Sequence, residues 1–94
     1  MIEVRTLAGD DPLRFEVVIR DEEGETRHEV TMSLATFSTI AGGACTPAHF
    51  VEAAFRFLLD REPKEAILKR FDFAVISTYF PEFAREIPRY FTAR

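Results

Sequence analysis

The residues best placed to do chemistry lie in one short run, Gly42-Gly43-Ala44-Cys45-Thr46-Pro47-Ala48-His49. Cys45 stands just before a predicted helix N-terminus, where the helix dipole and free N–H groups favour a thiolate. His49 follows on the polar face of that helix, close enough in sequence to approach the sulfur. A Cys–His nucleophile also needs its base oriented by a third group, and no residue in the chain is identifiable in that role. The plainer expectation is that Cys45 fills a tight loop and His49 is solvated in the first helical turn, so no catalytic residue is expected. The same glycines could hold an anion or small molecule ahead of the helix. The G-x-x-x-x-G-K-[ST] spacing and its lysine are absent, and Gly42 and Gly43 read first as a helix stop and hinge.

Metal chemistry has little to draw on. Cys45, His49 and His28 are the only soft or borderline ligands, and none has a second Cys or His at ligand spacing. No metal and no cofactor is expected. Glu22, Glu23 and Glu25 read as a charged hairpin tip, since paired catalytic carboxylates need environments that separate their pKa values. A basic and aromatic mixture (Lys64, Lys69, Arg70, Arg85, Arg89 and Arg94, with Tyr79, Tyr90 and Phe91) could contact nucleic acid by stacking and phosphate pairing. Glu62, Glu65, Asp72, Glu82 and Glu86 interrupt it, so a solvated mixed-charge face is expected instead.

The element that must position this chemistry is Thr46 to Asp60. Thr46 is a good N-cap and Pro47 suits the first helical position. At about 100° per residue, Phe57, Phe50, Ala54, Leu58, Val51, Phe55 and Leu59 fill one arc of about 200°. A helix lying on one sheet face needs little more than about 100°. Twice that width predicts two partners, a sheet on one side and helices or a second subunit on the other.

Ahead of this helix the period is two. Residues 2–7 alternate weakly, Arg14 to Arg20 places Phe15, Val17 and Ile19 on one face, and Thr26 to Met32 places His28, Val30 and Met32 on one face. Pairing Asp21 with Thr26 sets Val17 opposite Val30, with Glu22-Glu23-Gly24-Glu25 as a four-residue loop. Ser33 can cap a helix over 34–41, although LATFSTI also has strand propensity. Behind the central helix, Pro63 is expected to start a helix over 63–71, with Lys64, Lys69 and Arg70 solvated. Asp72 can cap a helix over 73–79, for which a strand over 73–80 is the rival. Pro81 and Pro88 break the remainder into short helical pieces within 81–92.

The chain is thus expected to be one α+β domain: a three-stranded, mainly antiparallel N-terminal sheet (about 2–7, 14–20 and 26–32), then a helical C-terminal half packed on one face. Ninety-four residues, 47% apolar and 30% charged, are ordinary for one globular domain. One cysteine excludes an internal disulfide framework and suits a reducing cytoplasm. No signal-like or membrane-length apolar run is present, which with the compact size suggests a cytoplasmic, bacterial-looking protein. Residues 1–46 carry nine acids against four bases, which argues against broad nucleic-acid binding.

Twelve aromatic residues exceed what so small a core comfortably hides. Phe57, Phe80, Phe83, Tyr90 and Phe91 are expected to leave a surface that contacts another protein or a second copy of the chain, because exposed apolar area marks interaction sites and aromatics mark their centres. The expected function is a non-catalytic interaction or regulatory module.

Overall fold

A computed structural model of the chain describes residues 1–92. Three strands open the fold: β1 (Ile2–Ala8), β2 (Leu13–Asp21) and β3 (Gly24–Met32). Two helices follow, α1 (Leu34–Ala41) and α2 (Pro47–Leu59), then a short strand β4 (Arg70–Asp72) and three short helices, α3 (Ala74–Tyr79), α4 (Phe83–Glu86) and α5 (Pro88–Thr92). The sheet runs β1-β2-β3-β4, with β1, β2 and β3 antiparallel and β4 parallel to β3. This is the expected α+β architecture with a fourth strand added.

The alternation of β2 divides the sheet into two unlike faces. Leu13, Phe15, Val17 and Ile19 are buried against the helices with Val30 and Met32 of β3. The opposite face is a lattice of charges in which Arg20 bridges Glu3 and Glu25 and Glu16 accepts from Arg5 and Arg27. Val18 lies on that face yet is only 6% exposed, closed over by its long charged neighbours.

The hairpin register differs from the expected one by two residues. Asp21 pairs with Gly24, Val17 with His28 and Phe15 with Val30, leaving Glu22-Glu23 as a two-residue turn. A shift of two keeps every side chain on its face, so alternation could not distinguish the two registers. The observed one sets Leu13 against Met32 and places Gly24 at φ 137°, a backbone conformation that glycine alone adopts without strain.

Residues 34–41 form the helix and not the strand. Ser33 accepts the Thr36 N–H at 3.0 Å, and Gly42, at φ 58°, stops the helix in the left-handed region. Thr46 caps α2 as expected, accepting from the His49 N–H at 3.2 Å. Phe50, Val51, Ala54, Phe55, Phe57 and Leu58 of α2 are buried, and so is Ala53, outside the expected arc. The helix lies between the sheet and the C-terminal helices, all from one chain.

The helix expected over 63–71 is replaced by a single 3-10 turn (Lys64–Ala66) and β4. Ile67 and Phe71 suit one face of a helix at i, i+4, but with Phe73 they also suit one face of a strand. Tertiary pairing decides: Lys69 C=O accepts from Glu29 N–H at 2.8 Å, and Phe73 N–H donates to Thr31 C=O at 2.9 Å. The free edge of β3 selects the extended form. Asp72 then joins strand to helix, accepting from the Thr31 hydroxyl at 2.6 Å and the Ala74 N–H at 3.0 Å. Residues 74–79 are helical, as the capping reading expects.

Candidate functional site

Cys45 and His49 are not joined by a hydrogen bond. His49 turns Nε2 to the backbone carbonyl of Phe91 at 3.3 Å, which only accepts, so Nε2 carries the hydrogen. Cys45 is half-buried against the core, and burial pushes its thiol above the ordinary value, away from thiolate reactivity. His49 instead helps hold the tail. Arg56 donates to Tyr90 C=O at 3.2 Å, and the Tyr90 hydroxyl donates to Asp60. Among the described residues no cluster of three metal-ligating side chains occurs. Nor is any described helix long and apolar enough to cross a membrane.

The basic residues are dispersed. Lys64, expected to be solvated, is 4% exposed, with its ammonium 2.9 Å from Asp21 and 2.7 Å from Glu65. Those carboxylates raise its pKa above the usual lysine value, Glu65 more than Asp21. Arg85 and Arg89 both reach Glu86. Arg94 lies outside the described residues. A hollow of about 390 Å³ beside Leu7, Glu16, Arg27, Glu29, Lys69 and Arg70 is walled mostly by paired charges, Arg27 with Glu16 and Arg70 with Glu29.

Of the five rings expected at the surface, Phe57 and Phe83 are fully buried and Phe91 is 9% exposed. Phe57 meets Phe83 edge-on at 5.1 Å, Phe80 at 5.9 Å and Tyr90 at 5.7 Å, and the Arg61 guanidinium lies 3.7 Å over its ring. The reason is the angled course of 80–92, which brings α4 and α5 back over the far side of α2. Phe80 and Tyr90 remain half-exposed.

The apolar surface that does remain lies elsewhere. A trough of about 340 Å³ opens between the C-terminal end of α2, residues 62–68, β4 and α3. Leu58, Ile67, Phe71, Val75, Ile76 and Phe80 line it. Leu68 and Tyr79 stand at its mouth, 49% and 67% exposed. Glu62 is its one charged lining residue among those described. It is half-buried, pairs with no described residue, and burial pushes its carboxyl pKa up. Of the expected surface residues, Phe80 alone lines the trough. The signal for the rest was Ile67-Leu68, two apolar neighbours whose side chains diverge once the segment is extended.

Among the described residues the geometry offers an open apolar surface with one carboxylate, Glu62, that no described cation meets. Comparison with known protein families, curated proteins and solved structures finds no match for this chain.

Proposed function

We propose that the protein is a non-catalytic interaction or regulatory module that docks a segment of another protein in the trough between α2, β4 and α3. The observation that carries this reading is Glu62. A carboxylate held half-buried among apolar side chains, with no partner among the described residues, is unfavourable in the free protein, and it is relieved by a cation delivered from outside. The occupant is accordingly a segment with apolar side chains for Phe71, Val75 and Phe80 and one Lys or Arg opposite Glu62. Small-molecule sites enclose most of their ligand and converge several polar groups upon it. This trough is open, and among the described residues it offers two polar side chains, Glu62 and the exposed Tyr79 at its mouth. Aromatic and aliphatic residues at the centre of a patch, with a polar group at its edge, are the composition of a protein interface.

The test uses affinity capture with the wild type, Leu68→Asp, Tyr79→Asp and the distant surface control Leu34→Asp, followed by titration of any captured protein in purified form. The expected result is a protein retained by wild type and Leu34→Asp and lost with both trough variants. Its purified form should bind more weakly to Glu62→Gln and should present a basic, apolar segment. Equal binding to all four proteins overturns the proposal.

A further inference from the structure

Among the described residues β1 has a strand partner on one side only. Its pairing with β2 determines which backbone groups are left over. Met1 and Arg20 exchange hydrogen bonds of 2.7 and 2.8 Å, so the hydrogen-bonded pairs recur at Glu3 with Val18 and Arg5 with Glu16. The N–H and C=O groups of Ile2, Val4 and Thr6 therefore point away from β2. Among the described residues no strand meets them. A row of such groups is a template for another strand.

We propose that this edge pairs with the same edge of a second copy, antiparallel about a two-fold axis at Val4, giving one continuous sheet with the helices of both copies on one side. Keeping like faces together requires even-numbered residues to oppose even-numbered ones. An axis at Glu3 would set Glu3 against the partner's Glu3, and an axis at Arg5 would set Arg5 against the partner's Arg5. Like charges directly opposite are destabilising. With the axis at Val4, Glu3 opposes the partner's Arg5 and Arg5 opposes the partner's Glu3. Ile2 then lies across from the partner's Thr6, and Val4 from the partner's Val4. These even-numbered pairs are the hydrogen-bonded ones, supplying about six backbone bonds. Axes further along the strand either shorten the overlap or run into the bulge between Thr6 and Ala8.

The pairing also covers apolar surface. Ile2 and Val4 are half-buried on the helix side, and Met1 and Leu7, 75% and 42% exposed, come opposite each other. A single strand edge is smaller than the about 1,200–2,000 Å² of a stable interface, so the dimer is weak and forms as concentration rises. The trough adjoins β4 at the opposite edge of the sheet and stays open in the pair. The two proposals stand or fall separately.

Sedimentation velocity on the full chain, over a micromolar-to-millimolar series, reads the association directly. The expected result is a shift from the 10.8 kDa monomer to a species of twice that mass. Val4→Pro abolishes the shift and stays folded by circular dichroism, because the Val4 N–H is not used by β2 and proline is tolerated at such edge positions. The register is read by mild oxidation in a Cys45→Ala background. Glu3→Cys mixed with Arg5→Cys forms a cross-linked dimer, whereas either alone does not, since same-number positions exceed disulfide reach. A wild type that is monomeric throughout the series overturns the proposal. So does a Val4→Pro chain that dimerises like wild type, or a Glu3→Cys chain that cross-links alone as well as the mixture does.

Discussion

The imidazole of His28 donates from Nδ1 to the backbone carbonyl of Leu68 at 2.8 Å, fastening β3 to the segment that delivers β4. Because a carbonyl only accepts, Nδ1 carries the hydrogen, and Nε2 is left to accept from the Thr26 hydroxyl at 2.9 Å. The ring packs 5.5 Å from Phe55 and is 2% exposed. Burial holds its pKa below the ordinary 6.5, so the unfolded chain binds this proton more readily than the folded one. The resulting stability is fully present above the unfolded pKa of about 6.5 and is lost as pH falls through the lower folded value. Thermal unfolding between neutral pH and pH 5 should show a falling midpoint. His28→Phe should flatten that slope and cost about 1–3 kcal/mol, because the Leu68 carbonyl loses its partner.

Lys64 plays the matching part at the other end of the same segment. Its ammonium ties the tip of the β2–β3 hairpin, through Asp21, to the turn that precedes β4. Hydrogen bonding from Lys64 is the main reason the Asp21 carboxyl pKa lies below its usual range. That contribution is present above the unfolded carboxylate pKa and is lost as pH falls through the folded value. Lys64→Met should lower the thermal midpoint by stranding Asp21 without its cation. In denaturant titrations, Asp21→Asn with Lys64→Met should lose less than the two single changes combined, since they share one interaction.

Glu62 should behave in the opposite sense. Its raised folded pKa means the folded chain holds this proton more tightly. Stability from this group therefore falls as pH rises from its unfolded pKa through the folded one. Glu62→Gln should raise the thermal midpoint at neutral pH, and the gain should vanish in acid below about pH 4.3, where the unfolded carboxyl is protonated too. On the proposed docking reading, a cation from the bound segment would offset that unfavourable burial beside exposed Leu68 and Tyr79.

Local pattern carried most of the architecture. Thr46, Pro47 and the broad apolar arc identified α2 and its two-sided burial, and alternation in β2 and β3 identified the core face. Three features escaped for reasons that are not local. The hairpin register was ambiguous because a two-residue shift preserves every face. β4 was hidden because Ile67 and Phe71 satisfy both periods, and only the open edge of β3 chooses between them. Phe57 and Phe83 looked like surplus aromatics because nothing in the spacing of Pro81 and Pro88 tells how sharply 80–92 folds back over α2. The trough was hidden with β4, since its floor and rim exist only when residues 67–72 are extended. Cys45 and His49 were legible as residues but not as a pair, because the acceptor that claims His49 is a backbone carbonyl some forty residues away.

The trough as a docking surface is tested most directly by site-specific photo-cross-linking in the source cell. A photoreactive phenylalanine analogue replaces Tyr79 in one strain and the control residue Leu34 in another, and cross-linked peptides are identified by mass spectrometry. One discrete adduct is expected from position 79, absent from position 34 and lost when Leu68→Asp is added, whose peptide carries apolar residues and a Lys or Arg. An adduct pattern at position 79 indistinguishable from that at position 34, or one unchanged by Leu68→Asp, would contradict it.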